Sequence, residues 1–199
     1  MALATYADLE TQVANWLHRD DLTTYIPDFI TLFEADAARR MMVRPQQATT
    51  TLTPTSGSVA LPSDYIGWIR LTWTGSTRVD LQYVGPTILQ AYYPSTPTNT
   101  PQMFTLEGGN ILIRPVDGTA LEFVYYQKTA ALSSALNWLY TNHPDAYLNG
   151  TLYEAYKFAK DNENMATYKA LRDEIFDEIR VQNFRQAGHL SIRPLGPIV

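Results

Sequence analysis

The chain has 199 residues, of which 45% are hydrophobic and 18% charged, and its formal net charge at pH 7 is −5. This balance is typical of one globular domain, or of one domain with an inserted module, and it argues against extensive disorder. The negative charge argues against a general nucleic-acid binder, the lack of cysteine excludes disulfides and thiolate chemistry, and no apolar run reaches the roughly 20 residues that span a bilayer.

Two amphipathic helices are predicted at the start of the chain. Thr5, followed three residues later by Asp8, is typical of a helix N-terminus, and the apolar spacing that follows predicts a helix ending near Arg19. A second helix is expected with Pro27 in its first turn and Pro45 at its end. Its apolar stripe consists of Ile26, Phe29, Ile30, Phe33, Ala37 and Met41.

From residue 46 the pattern changes to short predicted strands separated by segments rich in Thr, Pro and Gly. Strands are expected over residues 49–53, 58–61, 65–73, 77–83, 103–106, 111–113 and 121–126, with a short helix over 85–92. Gly108 and Gly109 between two apolar runs predict a hairpin. Short strands joined by tight turns favour an antiparallel sandwich or a small barrel.

Helical periodicity returns in the last third. A helix introduced by Pro144 has the stripe Leu148, Leu152, Ala155, Tyr156 and Ala159, and the final helix has Met165, Tyr168, Leu171, Ile175 and Ile179. Each helix has a single apolar stripe and needs a partner, so we expect both chain ends to form one bundle. The predicted fold class is therefore α+β, with the β module inserted into a helical bundle. The expected parts are residues 1–45 and 131–186 for the bundle, 46–130 for the β module and 187–199 for an extended arm.

The predicted arm combines helix-breaking and apolar residues. Gly188 is a natural helix stop, and Pro194 and Pro197 prevent a regular element. Residues 180–199 contain three arginines and no acidic residue. The arm also carries Leu190, Ile192, Leu195 and Ile198. Apolar side chains at a chain end commonly dock on another surface, so we expect the arm to bind a partner.

No pattern in the sequence indicates catalysis. His18, His143 and His189 do not have metal-ligand spacing, and no phosphate-binding loop or nucleophile elbow is present. The acidic residues 173–178 mark either a site for a cation or basic partner, or a solvated helix face that meets Arg172 and Arg180. We therefore expect no catalytic, cofactor or metal site.

The aromatic residues leave several interpretations open. Trp68 and Trp73 have opposite parity in one expected strand, as do Tyr125 and Tyr126, so each pair should face both sides of a sheet. Either both faces are covered within the subunit, one by the other sheet and one by helices, or one face is a contact between subunits. Base stacking on single-stranded nucleic acid is a third option, although the strand region lacks the positive charge it needs.

Three parts of the sequence together carry a family resemblance. They are Leu139, Tyr140 and residues 143–161 with Tyr168 and Leu171; residues 5–9 and 13–17 with Phe29, Ile30, Ala35, Asp36, Arg39 and Arg40; and residues 61–65. The first part resembles the C-terminal helices of phage head–tail adaptor proteins. The second resembles the start of that family, and the third resembles its strand–turn element.

The resemblance implies a structural virion component at the capsid vertex, not an enzyme. Such adaptors form a homo-oligomeric ring, usually a dodecamer, beneath the portal; they join the head to a tail or nozzle protein and continue the channel used in DNA ejection. The protein would be made in the host cytoplasm, need no cofactor, touch no membrane and bind no specific nucleic-acid sequence. Because the family's C-terminal arms reach into the portal, the residues expected to bind it are Gly188, His189, Leu190, Ile192, Arg193, Pro194, Leu195 and Ile198.

Two other classes of function remain open at this point. The chain could be a monomeric β-sandwich that binds carbohydrate or peptide through exposed aromatic residues; it would then have one concave aromatic patch and form no ring. An enzyme would need a compact polar constellation that the sequence does not show.

Overall fold

A computed structural model of the chain describes residues 3–186, with side chains described as far as Phe184. The helices are α1 (Tyr6–Leu17), α2 (Ile26–Arg40), α3 (Pro86–Tyr92), α4 (Trp138–Asn142), α5 (Pro144–Ala159) and α6 (Asn162–Gln186). The strands are β1 (Gln47–Leu52), β2 (Ser58–Ala60), β3 (Tyr65–Thr74), β4 (Arg78–Asp80), β5 (Gln82–Tyr83), β6 (Met103–Glu107), β7 (Asn110–Arg114) and β8 (Leu121–Gln127). Short 3-10 helices cover Asp20–Tyr25 and Arg44–Gln46.

These elements form two compact units. The helical unit combines the residues up to Val43 with those from Thr129 onward, and the β unit consists of Arg44–Lys128. Each unit has its own hydrophobic core. The predicted α+β class, with helices from both chain ends and a β module between them, is confirmed.

Local signals in the sequence place the first two helices. The Thr5 hydroxyl accepts a hydrogen bond from the Asp8 N–H at 3.1 Å, and the Asp8 carboxylate accepts one from the Thr5 N–H at 2.9 Å, which completes a capping box. Pro27 lies in the first turn of α2, as predicted. The expectation for Pro45 is wrong, because α2 ends at Arg40 and Pro45 lies in the following 3-10 helix.

The α2 stripe forms the centre of the helical core, and all six of its predicted residues are buried. The Phe33 ring packs edge-on against Tyr147 of α5, with ring centroids 4.9 Å apart, and lies 6.1 Å from the ring of Phe176 of α6. Gly150 of α5 lies directly against Phe33, since a Cβ at that position would overlap the Phe33 ring. Glycine therefore sets how closely α2 and α5 approach.

The buried face of α6 differs from the predicted stripe. Leu171 is 40% exposed, whereas Arg172 and Phe176 are each 1% exposed. Ile179 is buried as expected. The predicted stripe omitted Phe176 and treated Arg172 as a surface residue, so in the middle of the helix it was displaced by one residue.

The β unit is a sandwich of two four-stranded sheets, ordered β1-β8-β3-β4 and β2-β7-β6-β5. Neighbouring strands are antiparallel except for the parallel pair β5 and β6. Each sheet ends in edge strands, so the described residues form a sandwich and not a closed barrel. Both sheets contribute to one core, which includes Leu71, Phe104, Ile111, Ile113, Leu121 and Phe123. Gly108 and Gly109, with φ of 57° and 77°, make the predicted two-residue hairpin between β6 and β7.

The expected single strand over residues 77–83 is in fact two strands in different sheets. Strand β4 pairs with β3, and β5 pairs with β6. Leu81, between them, is buried in the sandwich core. The chain thus crosses from one sheet to the other here, a change that an alternating pattern cannot reveal.

The parity argument for the two tryptophans is also wrong. In β3 the register against β8 slips twice, with one extra residue at Ile66 and another at Ile69. Each bulge reverses the alternation of side chains beyond it. Trp68 and Trp73 therefore both lie on the core face of the sheet: Trp68 contacts Phe104, and Trp73 belongs to the core cluster.

Candidate interaction surfaces

The predicted portal-binding residues, Gly188 to Ile198, lie outside the described residues, which end in α6. The described part of this surface therefore ends where α6 meets the predicted arm. What fixes that point is the packing of α6 against α2 and α5.

An ionic cluster around the buried Arg172 joins α6 to α2. Arg172 Nε and Nη2 donate to Asp173 Oδ1 at 3.0 and 2.8 Å, and Arg172 Nη1 lies 3.2 Å from Asp36 Oδ2. Arg40 bridges the same two carboxylates, with its Nε 3.1 Å from Asp36 and its Nη1 2.9 Å from Asp173. The Arg172 guanidinium also lies 4.2 Å from the centre of the Tyr153 ring. Arg39 Nη2 also lies 3.3 Å from Asp36 Oδ1, so three guanidinium groups face two carboxylates, and the pairs between Arg172 and Asp36 and between Arg40 and Asp173 fix α6 against α2.

A second buried polar group holds the segment that returns from the β unit. Glu34 Oε1 accepts hydrogen bonds from the Tyr147 hydroxyl at 3.0 Å and from the Leu132 N–H at 2.7 Å. Asn137 Nδ2 donates to the Tyr147 hydroxyl at 2.6 Å and to the Ala130 carbonyl at 2.8 Å. Burial raises the pKa of the Tyr147 hydroxyl; the Asn137 hydrogen bond partly opposes this rise, and the Glu34 carboxylate adds to it. The side chains of Glu34 and Asn137 thus hold the backbone of the return segment at Leu132 and Ala130.

The last turns of α6 expose apolar side chains. Phe176 and Ile179 are buried, and Arg180 Nη2 donates to the Arg40 carbonyl at 3.1 Å. Beyond Arg180, Val181 is 48% and Phe184 73% exposed. We call Val181 and Phe184 the α6 apolar pair. It lies immediately before the predicted arm.

A separate aromatic surface lies where α2 begins and α5 ends. The Phe158 ring lies 5.5 Å from Tyr25 and 5.5 Å from Phe29, measured between centroids. Tyr25, Leu32 and Phe158 are all exposed, whereas Phe29 beneath them is buried. Residues 25, 29 and 32 share one side of the helix by their spacing. We call Tyr25, Leu32 and Phe158 the aromatic patch; its composition is typical of protein–protein contacts.

Two of the three histidines, His18 and His143, lie among the described residues. His18 is exposed and ends α1, and His143 precedes α5 with its ring 6.5 Å from that of Trp138. Among residues 3–186 no three potential His, Asp or Glu ligands come together. An open cavity of about 410 Å³ beside α1 has both polar and apolar lining residues, and its single carboxylate is Glu10. The acidic face of α6 forms ion pairs, Asp173 with Arg172 and Asp177 with Arg180, as the solvated-face interpretation expects, although Arg172 is buried.

Comparison with known families decides the broad assignment. Residues 4–195 match the family model described as SU10 adaptor protein. The chain belongs to this family of phage head–tail adaptors. The match spans both units and most of the predicted arm. Among curated proteins, none matches the chain.

The assignment gives the adaptor a structural role at the junction of head and tail, in association with portal or tail components of the virion. Within the described part of the adaptor, no helix combines the length and apolar character needed to cross a membrane.

The sandwich aromatics of the adaptor bear on the carbohydrate-binding alternative. Trp68 and Tyr83 are partly exposed, but their rings stack on each other at 5.2 Å and each contacts Phe104. Stacking covers one face of each ring, and the contacts with Phe104 attach both rings to the sandwich core. This arrangement favours a role in closing the sandwich core between its two sheets.

Sequence reasoning missed two of these surfaces. The α6 apolar pair could have been found, because Val181 and Phe184 continue the helix beyond its last predicted stripe residue, Ile179. The aromatic patch had no comparable signal, since Tyr25 and Phe158 are far apart in the chain and meet only in the folded unit.

Proposed function

We propose that this adaptor forms a closed ring of about twelve identical copies beneath the portal, joins the portal to the tail and continues the DNA channel. The observation that carries the proposal is the match to a phage adaptor family over residues 4–195. In a cyclic ring, each subunit contacts its neighbours through two different surfaces. The aromatic patch is a suitable surface of this kind, because it is apolar, exposed and built on a buried residue of the core.

In this proposal, the arm over residues 187–199 attaches the ring to the portal. The residues that make the contact are Gly188, His189, Leu190, Ile192, Arg193, Pro194, Leu195 and Ile198. Two features of the sequence support this: four large aliphatic side chains in a segment broken by Gly and Pro, and a local excess of arginine on an acidic protein. An apolar segment with positive charge fits a groove with carboxylates at its rim.

The proposal is tested by measuring mass and portal binding with the full-length chain. Multi-angle light scattering should give a discrete assembly of ring size, alone or after addition of the portal protein of the same phage. A four-serine arm variant (Leu190→Ser, Ile192→Ser, Leu195→Ser and Ile198→Ser) should keep its helix content. It should bind the portal at least ~100-fold more weakly, because several buried aliphatic side chains are each worth about 1.5–3 kcal/mol.

Two results would contradict the proposal. A protein that stays monomeric both alone and with saturating portal does not form the proposed ring. Unchanged portal affinity in the four-serine arm variant would remove the arm from the contact. Ser191→Ala, a substitution in the same arm at a residue outside the proposed contact, serves as the control and should bind within about threefold of the natural chain.

A further inference from the structure

The end of α6 has a different surface from the rest of the helix. Its solvent-facing positions before Arg180 are polar or small, with the single exception of Leu171. Val181 and Phe184 then follow, and Phe184, at 73%, is the most exposed large apolar side chain among the described residues. Three residues apart, the two side chains lie on the same side of the helix. They therefore make a local apolar surface and not a scattered pair.

The part of α6 that precedes this surface is packed against other helices. A two-residue connection joins α5 to α6, so the two helices form an antiparallel hairpin. With 25 residues against 16, α6 extends past the beginning of α5. Arg180 closes the packed part, where its Nη1 lies 2.8 Å from Asp177 and its Nη2 binds the Arg40 carbonyl. The α6 apolar pair is thus presented on a helix end whose preceding turn is fixed to α2.

The charge changes at the same point. Residues 173–178 contain four acidic side chains, whereas residues 180–199 contain arginines and no acid. The α6 apolar pair consequently belongs with the basic, apolar end of the chain. In the sequence, Leu190 and Ile192 of the arm follow Phe184 by six and eight residues.

We infer that portal docking begins at Val181: the last turns of α6 insert Val181 and Phe184 into an apolar groove of the portal that has carboxylates at its rim. This rests on the proposed portal role of the arm and extends that contact into the folded subunit. The recognition mode is that of a helix in a groove, followed by an extended segment. A helix end that is already formed lowers the entropy cost of binding.

The test compares four full-length proteins for portal affinity and for mass by light scattering. They are the natural chain, Val181→Ser with Phe184→Ser, the four-serine arm variant, and a control with Leu136→Ser and Leu171→Ser. The control removes two apolar side chains of similar exposure from other places on the helical unit. The substituted α6 pair should weaken portal binding at least ~10-fold at unchanged mass and helix content, and the control should stay within about threefold. Phe184→Ala alone should account for most of the loss.

Each other outcome is informative. If the α6 variant binds the portal like the natural chain while the arm variant does not, this inference fails and the proposed function stands. If neither variant affects portal binding, both fail. If the α6 variant cannot reach the mass of the natural assembly, the α6 apolar pair belongs to a contact between adaptor subunits, and the inference is overturned.

Discussion

Arg172 is a charged side chain in the interior of the helical unit, with 1% of its surface exposed. Removing an ion from water costs several kcal/mol, and only close opposite charges and hydrogen bonds compensate for that cost. Asp36 and Asp173 supply the charges, and the Tyr153 ring covers the guanidinium. The cluster therefore acts as a specific pairing of α6 with α2, since a shift of either helix would separate these groups.

Arg172→Ala should destabilise the helical unit by about 3–5 kcal/mol, because it leaves Asp36 less compensated and opens a cavity. Arg172→Met, which keeps most of the volume, should cost less. The double variant Arg172→Met with Asp36→Asn should lose less unfolding free energy than the two single variants lose in sum. Urea unfolding followed by circular dichroism measures these differences. Arg19→Ala, which removes an exposed pair with Asp21, is the control and should leave the midpoint unchanged. Additive costs for Arg172 and Asp36 would show that they do not interact.

Single residues also show which structural features could not be predicted from the sequence. The capping pair Thr5 and Asp8 and the position of Pro27 were predictable, because each acts through its nearest neighbours in the chain. Arg172 was not, since an arginine becomes buried only when distant residues supply its partners. The bulge at Ile69, which turns Trp68 to the core, likewise depends on the register with β8 and leaves no mark in the alternation of residue types.

At the scale of elements, residues 129–137, the segment that leads from the β unit back to α4, show how side chains fix an irregular backbone. This segment has no strand and no helix of its own, and its backbone is tied through Leu132 and Ala130 to the side chains of Glu34 and Asn137. Tyr147 joins these two side chains. An unsatisfied buried polar group costs about 1–3 kcal/mol, so the network holds the segment only while all its members remain paired.

Tyr147→Phe should destabilise the helical unit by about 1–3 kcal/mol at neutral pH. It should also change the response to alkali. Burial raises the pKa of Tyr147 in the folded state. Above the ordinary tyrosine pKa of about 10, the unfolded chain therefore loses this proton while the folded chain keeps it, and stability falls as pH rises. Urea midpoints at pH 8, 10 and 11 should fall less steeply in Tyr147→Phe than in the natural chain. The exposed Tyr25→Phe is the control, and equal slopes in all three proteins would exclude this contribution.

At the scale of the whole molecule, the chain consists of an inserted sandwich and a helical unit closed by both chain ends. The periodicities of the sequence were enough to predict this division into helical and strand regions, because every main helix and most strands carry their own pattern. Contacts between the helices were not predictable in the same way. The aromatic patch and the ionic cluster around Arg172 exist only after α2, α5 and α6 pack. A head–tail adaptor must bind partners while its own fold persists, which separate cores would allow.

The separate cores predict separate unfolding. Phe33 belongs to the helical core and Phe123 to the sandwich core. If the inserted sandwich unfolds, it becomes a long loop between two parts of the helical unit. Because the entropy cost of closing a loop rises only slowly with its length, the helical unit should stay folded. Phe123→Ala, expected to cost about 3–5 kcal/mol, should speed hydrogen exchange across β1 to β8 and leave α2 and α5 protected. Phe33→Ala should do the reverse.

Mass spectrometry of peptides from both variants provides the measurement, and each variant serves as the other's matched control. If either substitution speeds exchange equally in both units, the two cores fold as one cooperative body, and an adaptor would then lose its partner-binding surfaces whenever its sandwich opens.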